Sequence, residues 1–367
     1  MPDSVNMLGP KKIATDVHWV GTAAGEFLRR NVYLRTFRGK GRIFNLLVDP
    51  GPPCDLEAVV KNVKSLIGGI DNLHAITVNH QDPDVGANAA ALVKMHDGIV
   101  VLMTEETWRL AQYYGISRRN FHAVEKLRDL RTLLPTGQKI QFVPTPFCHF
   151  RGACMVYDPE SRILFSGDLF AGVAAASLEA TASSWTGIKA FHQLYMPGND
   201  ALRLAVSRIR KLDPAPLAIA PQHGGVISGD LVPQFLEKME NLPVGLDIIA
   251  SLRDSVPAII SALNDSLTAL RDVLGKDRVV KVMRFFHPDG SYPALFTLAD
   301  DDRVVDIKAE PYAAIEALLR ILYRQCPDQH KEALRSRIWN IFLDRNLPPP
   351  ESALVDVDVI EAEIVEG

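Results

Sequence analysis

The chain has 367 residues, of which 47% are hydrophobic and 23% charged, the balance of a soluble globular protein with a core of ordinary size. Its net charge is -4 and its basic residues are scattered, which argues against a nucleic-acid or anionic-membrane partner. Its four cysteines form no CxxC pair, and it has no signal-peptide stretch and no run of about eighteen apolar residues, so we expect a reduced cytoplasmic protein.

Short strands and helices alternate along the first part of the chain. Residues 32–37 and 43–48 flank a GKG turn and predict a hairpin, which ends at the DPGPP run of 49–53. This alternation continues and indicates α/β layers. The elements predicted after the hairpin are a helix around 56–66, a strand at 73–78, a helix at 87–95, strands at 98–103, 140–143, 153–157 and 162–165, a helix at 201–211 and a strand at 217–220.

The composition changes near Val244, after which residues 246–274 have a helical pattern. Apolar residues recur there every seven positions, which predicts a coiled-coil or helical-hairpin seam, and an ordinary packed hairpin explains the pattern equally well. Pro257 either kinks this helix or opens a second one. The apolar positions are Ile249, Val256, Leu263 and Leu270, with Leu252 and Ile259 between them.

The last part of the chain predicts a small mixed region. Its expected elements are strands at 279–286, 294–298 and 304–307 and amphipathic helices around 312–323 and 330–344. An acidic, proline-led tail follows from Pro348.

Six histidine and aspartate residues follow the ends of predicted strands, where open α/β sheets place their sites. Three share the loop after the 73–78 strand, and alternate residues of an extended loop can point to one side. A single histidine or aspartate at a strand end is more often a cap or a hydrogen-bonded polar group than a metal ligand. Six of them in a fixed order, each after a strand, rarely arise by chance. Imidazole and carboxylate together suit zinc, iron or manganese. The six are His80, Asp82, Asp84, His149, Asp168 and His223.

The local sequences around these residues resemble the metallo-β-lactamase superfamily. They are HxDxD at His80, CHFRG at His149, FSGDLF at Asp168 and APQHG at His223. The chain is most similar to the diiron domain of flavodiiron proteins and to oxygen-binding diiron proteins, and the HWVGT and FHQLYMPG segments at 18–22 and 191–198 add to the likeness. The resemblance extends from about residue 13 to 242 and implies an αββα sandwich.

The resemblance also implies how the metals are held. Metal 1 takes His80, Asp82 and His149, metal 2 takes Asp84 and His223, and Asp168 bridges them. Hydrolases of the superfamily usually have histidine where Asp82 stands. The carboxylate makes the site harder and more anionic, which favours iron and leaves zinc as the alternative.

Two residues depart from the family pattern, because the family generally has glutamate at position 82 and histidine at position 85. Asp82 is one methylene shorter and ligates with a shift, through water or not at all. Val85 leaves metal 2 with an open position for O2, NO or water, or weakens that site. The resemblance brings His18, His192 and Tyr195 near the metals. It makes His192 and Tyr195 candidate catalytic residues, with packing or surface roles as the alternative.

The predicted organisation is a metallo-β-lactamase-like dinuclear metal domain at 1–244, a helical linker and candidate dimerisation segment at 245–275, a small α+β domain at 276–347 and an acidic tail at 348–367. Flavodiiron proteins carry a flavodoxin domain, but no Ser/Thr-rich phosphate loop follows Val244. We therefore expect no FMN in this chain. The candidate dimerisation segment leads us to expect a homodimer.

Three functions compete. The first is a non-haem diiron protein that binds or reduces O2 or NO, either as an oxidoreductase with an external electron-donor protein or as an oxygen sensor. The second is a dinuclear zinc-type hydrolase, in which a metal-bound hydroxide attacks an ester, lactone or phosphodiester. The third is a binding module whose degenerate site serves structure or partner contact.

Overall fold

The computed structural model describes residues 9–22, 27–175, 177–251, 255–290, 293–350 and 353–354, without the side chains of 249–251. The chain divides into two compact units, Met1–Leu246 (unit 1) and Asp247–Gly367 (unit 2). No described helix is both long and apolar enough to cross a membrane.

Unit 1 contains two sheets that pack face to face. In the first, seven strands lie side by side in chain order, antiparallel from β1 to β4 and parallel from β4 to β7. They are β1 (Lys11–Ala14), β2 (Val17–Trp19), β3 (Tyr33–Gly39), β4 (Arg42–Val48), β5 (Ala75–Thr77), β6 (Val100–Met103) and β7 (Phe121–Ala123).

The second sheet has the strand order β13-β12-β11-β10-β9-β8, and only the β11–β12 pair is parallel. Strands β10 and β11 are buried at every residue, as expected for central strands covered on both faces. The strands are β8 (Arg131–Leu133), β9 (Lys139–Pro144), β10 (Cys154–Asp158), β11 (Ile163–Gly167), β12 (Ala218–Pro221) and β13 (Ile227–Ser228).

Helices cover the outer faces of the two sheets. One apolar core joins α1, α3 and α4 to the first sheet, and a second core, which includes Tyr33 and Phe165, fills the space between the sheets. The αββα sandwich predicted from the sequence is confirmed. The helices of unit 1 are α1 (Leu56–Ile67), α2 (Pro83–Gly86), α3 (Asn88–Met95), α4 (Glu105–Ala111), α5 (Trp185–Tyr195), α6 (Asn199–Arg210) and α7 (Leu231–Glu240). Helix α8 (Leu246–Ser251) begins at the last residue of unit 1, and its other residues belong to unit 2.

Unit 2 is a helical cluster with one antiparallel hairpin. Helix α9 packs against α10, α11, α12 and strand β15. Pro257 lies in the first turn of α9, so it opens this helix rather than kinking a longer one. The elements are α9 (Val256–Leu274), α10 (Lys276–Phe285), β14 (Phe296–Leu298), β15 (Val304–Ile307), α11 (Pro311–Tyr323) and α12 (Asp328–Leu343).

The strand predicted at 279–286 is wrong, because these residues form helix α10. The buried positions are Val279, Val282 and Met283, whose spacing of three and four residues defines one face of a helix. The other two predicted strands of this region are β14 and β15.

The seven-residue apolar pattern of 246–274 falls largely on α9. Ile259, Leu263 and Leu270 are fully buried within unit 2, so this helix contributes its apolar face to the core of that unit. The side chains of Ile249 and Leu252 lie outside the described residues.

We expect Leu263→Ala to lower the free energy of unfolding of unit 2 by about 3 kcal/mol, since it removes a fully buried side chain and leaves a cavity. Urea unfolding followed by circular dichroism measures this. The control is Thr268→Ala, at an exposed position of the same helix. An equal small effect of both variants, or a loss that depends on protein concentration, would contradict an intramolecular core at Leu263.

Candidate metal centre

The six predicted residues lie together at one edge of the sandwich. His80 follows β5, His149 follows β9, Asp168 follows β11 and His223 follows β12. Asp82 directly precedes α2, and Asp84 lies in the first turn of that helix. Side chains from both sheets therefore lie together where these strands end.

Four side chains converge on one point, here called site 1 (His80, Asp82, His149 and Asp168). The Nε2 atom of His149 lies 3.1 Å from Oδ2 of Asp82 and 3.2 Å from Oδ2 of Asp168. The Nε2 atom of His80 lies 3.5 Å and 3.4 Å from the same two oxygens. Two imidazole nitrogens and two carboxylate oxygens thus face each other across a few ångströms.

A second set, site 2, consists of Asp84, His223 and the other oxygen of Asp168. The Nε2 atom of His223 lies 3.3 Å from Oδ2 of Asp84 and 3.7 Å from Oδ1 of Asp168. The two carboxylate oxygens of Asp168 therefore face different histidines, which is the geometry that a bridging carboxylate requires.

These residues fit a dinuclear metal site. Ligand atoms of His80, His149 and Asp168 lie within 4.8 Å of one another. Oδ1 of Asp168 is buried and has no hydrogen-bond partner among the described residues. A buried carboxylate oxygen normally has a partner, and a metal ion would supply one. Imidazole nitrogen and carboxylate oxygen suit iron, zinc or manganese.

The electrostatics favour positive charge between these carboxylates. Burial by itself lowers the pKa of His149, but the carboxylates of Asp168 and Asp82 outweigh it and raise the pKa to about 10. Burial raises the pKa of Asp168, and the neighbouring imidazoles, above all that of His80, outweigh it and lower the pKa. The same field that holds a proton on His149 would hold a metal cation.

The site is closed on one side and open on the other. The side chains of His80, His223 and Asp168 are 1%, 3% and 4% exposed, whereas those of Asp82 and Asp84 are each 34% exposed. Among the described residues, the exposed side of the centre is that of Asp82, Asp84 and the partly exposed His149, and a small ligand can reach the centre from there.

Neighbouring groups fix the orientation of His80. Its Nδ1 lies 3.0 Å from Oδ1 of Asn79, an acceptor that directs Nε2 toward site 1. The Asn79 side-chain amide donates to the carbonyl oxygen of Cys154 at 2.9 Å, and its backbone N–H donates to Asp49 at 2.8 Å. A Cβ at position 167 would lie 2.1 Å from Asn79, so Gly167, with φ +59, admits this contact.

The loop of His223 is held in a similar way. Its Nδ1 lies 2.8 Å from the carbonyl oxygen of Arg29. The Asn31 side-chain amide donates to the carbonyl oxygens of Pro221 and Gly224, each at 2.9 Å, and its oxygen accepts from Nε1 of Trp19. The sequence reasoning missed Asn31, Asn79 and Asp49, and the one local signal among them was the DPG turn at Asp49, whose φ is 51°.

His192 is fully buried and both of its ring nitrogens face backbone groups. Nδ1 lies 2.7 Å from the carbonyl oxygen of Ile188, and Nε2 accepts from the N–H of Phe170 at 3.0 Å. Burial lowers the pKa of His192 to about 4. This neutral imidazole thus anchors the chain two residues beyond Asp168.

The remaining residues of interest lie farther out. The Tyr195 ring centroid is 6.1 Å from that of His149, and this tyrosine is 44% exposed at the rim. His18 lies on β2, where burial lowers its pKa and Asp16 and Lys12 are its charged neighbours. Val85 is fully buried in the core beneath the helices of the first sheet.

An αββα sandwich with a His/Asp centre at its strand ends defines the metallo-β-lactamase fold. The chain belongs to the family described as ODP family beta lactamase, and the model of that family matches residues 28–224. The superfamily relationship predicted from the sequence is therefore confirmed.

Solved structures extend this likeness. A structure of the peroxy diiron species of the chemotaxis sensor ODP is 27% identical, with a TM-score of 0.54, and the match covers 66% of this chain and 98% of that one. The apo state of the chemotaxis sensor ODP from T. denticola is 26% identical, with a TM-score of 0.55, and covers 66% and 97%. The rubredoxin oxygen:oxidoreductase of Desulfovibrio gigas shares the fold at 14% identity and a TM-score of 0.57, over 70% of this chain and 68% of that one.

Among curated relatives, an uncharacterized protein of Methanocaldococcus jannaschii is 23% identical over 62% of this chain and 59% of its own length. The nitric oxide reductase of Moorella thermoacetica is 23% identical over 59% of this chain and 57% of its own length. The chain thus spans less than two thirds of the length of these relatives.

We expect Asn31→Ala to lower the free energy of unfolding of unit 1 by about 3 kcal/mol, because it leaves the buried Trp19 N–H and the Gly224 carbonyl without their side-chain partner and removes one of the two donors to the Pro221 carbonyl. Urea unfolding of metal-free protein measures the loss. Asn241→Ala, which removes an exposed amide bonded within its own helix, serves as the control. If both variants unfold at the wild-type urea concentration, Asn31 does not hold the His223 loop.

Proposed function

We propose that this protein is a non-haem diiron protein that binds O2 or NO and acts as an oxygen sensor. The observation that carries the proposal is the Asp168 carboxylate, whose two oxygens face separate His/Asp sets. In this assignment His80, Asp82 and His149 would hold one iron, Asp84 and His223 would hold the other, and Asp168 would contribute to both.

Iron is proposed because site 1 contains the Asp82 carboxylate where superfamily hydrolases usually have histidine. Oδ2 of Asp82 lies within 3.5 Å of both imidazole nitrogens of site 1, so the shorter side chain still reaches the position of a direct ligand. An additional anionic oxygen favours the higher oxidation states of iron over zinc. Two iron ions bound here would supply the capacity to bind O2 or NO.

The protein groups around the centre would position and shield it. Asn79 and the Arg29 carbonyl orient the His80 and His223 rings so that Nε2 faces inward. The nearly complete burial of His80, His223 and Asp168 would shield the centre from water on one side, and Tyr195 lies at the open rim. We assign His192 a positioning role, because both of its nitrogens face backbone groups.

Sensing is preferred to reduction because the chemotaxis sensor ODP matches over nearly its whole length, whereas the nitric oxide reductases match over only part of theirs. Reduction of O2 or NO by an oxidoreductase is the second candidate and would require an external electron-donor protein. The likeness to nitric oxide reductases of 23–25% identity supports it.

The full chain, purified without oxygen, is expected to contain two irons, and O2 should change its visible absorption. His149→Ala removes two of the closest contacts in site 1 and should reduce the iron content to about one per chain. Metal analysis and absorption spectra measure both effects, and His96→Ala, at a histidine outside the centre, is the control.

Two results would separate the competing functions, and a third would test the ligand assignment. Zinc as the only metal, together with esterase activity, would refute the diiron proposal in favour of a hydrolase. Sustained consumption of O2 or NO with a supplied reductant would favour the function of an oxidoreductase over that of a sensor. Two irons retained in His149→Ala would contradict the ligand assignment.

We expect Asp82→His to shift the metal preference toward zinc, because it replaces the anionic oxygen of site 1 by a third imidazole. After expression with both metals supplied, the zinc-to-iron ratio should rise about tenfold or more. Asp97→His, at an exposed aspartate paired with Arg119, is the matched control. An unchanged ratio would mean that Asp82 does not determine the choice of metal.

A further inference from the structure

We propose that an open cavity at the edge of the unit 1 sandwich binds an amphipathic carboxylate, a small molecule with one carboxylate and an apolar chain. The cavity has a volume of about 510 Å³ and shares no lining residue with sites 1 and 2. This volume falls within the range of roughly 300–1,000 Å³ typical of small-molecule sites. The inference is independent of the metal proposal.

The cavity forms where the two sheets separate. Strand β7 is the edge of the first sheet and β8 is the edge of the second, and each has three residues. Residues 124–130 connect them in two short 3-10 turns. The space between the sheets therefore remains open along this edge.

The walls are apolar. Phe44, Leu102 and Leu134 belong to or pack against the core between the sheets, and Phe121 and Leu127 also line the cavity. Leu133 is 61% exposed at the edge of the cavity. Besides Thr132 and three basic residues, every lining side chain is apolar. Such walls suit a hydrocarbon chain and offer no set of partners for a sugar or a nucleotide.

The basic residues that line the cavity are Arg118, His122 and Lys126. The Arg118 guanidinium lies over the rings of Trp108 and Phe121, at 5.4 and 4.6 Å, and forms no ion pair with any described residue. Lys126 makes only an exposed contact of 3.8 Å with Glu105. Exposed ion pairs of this kind contribute little stabilisation, so both cations remain available to bind an anion.

The acidic groups near these cations are outnumbered by basic ones. The Glu125 carboxylate accepts hydrogen bonds from the backbone N–H of Glu105 at the start of α4, at 3.0 and 3.2 Å. Residues 118–131 contain five Arg or Lys and two Asp or Glu, in a chain whose net charge is -4. This local positive charge beside an apolar cavity is complementary to a carboxylate attached to a hydrocarbon chain.

Calorimetric titration of the full chain with decanoate, below the concentration at which it forms micelles, tests the proposal. We expect one decanoate per chain. Decanol, which lacks the charge, and acetate, which lacks the chain, should each bind at least about tenfold more weakly. The double variant Arg118→Gln/Lys126→Gln should weaken decanoate binding by about tenfold, and Leu133→Glu should have a similar or larger effect.

The positions changed in these variants are exposed, and circular dichroism and iron content serve to check that the fold and the metal centre are retained. Arg119→Gln is the matched control, since Arg119 is adjacent, exposed and paired with Asp97 but does not line the cavity. No decanoate binding, equal binding of decanol, or equal weakening by Arg119→Gln would each overturn the proposal.

Discussion

The structure of the centre depends on one buried carboxylate. Asp168 is almost completely buried, and the Nε2 atoms of three histidines lie 3.2–3.7 Å from its oxygens. Burying a charged carboxylate costs on the order of several kcal/mol of desolvation free energy unless partners inside the protein compensate it. The three imidazoles come from loops more than 60 residues apart in sequence, so the compensation exists only when both sheets have folded in register.

The sheets establish that register through backbone pairing and a few buried amides. In the parallel pair β11–β12, Gly167 lies opposite Pro221, which brings Asp168 and the loop of His223 to the same edge. Asn79 then joins the loop of the first sheet to β10 of the second through the carbonyl of Cys154. The positions of the six ligand candidates therefore follow from main-chain geometry, and the side chains need little adjustment to converge.

The ligand candidates could be predicted because each follows a strand with a local apolar pattern, and their convergence followed from where such strands end. The groups that orient them could not, since their partners are distant in sequence. Asn31 bonds to Pro221, 190 residues away, and the Asn79 amide bonds to Cys154, 75 residues away. Helix α10 was predicted as a strand although its buried residues Val279, Val282 and Met283 have helical spacing, because a short apolar run is compatible with either structure until the face toward the core is known.

The difference between sites 1 and 2 has its origin in the packing of Val85. This residue directly follows Asp84, and its side chain lies in the apolar core instead of at the centre. A histidine pointing in the same direction would bury an unpaired polar ring, which is costly, so it would have to turn toward site 2. Valine removes that cost and leaves site 2 with three protein groups against four in site 1.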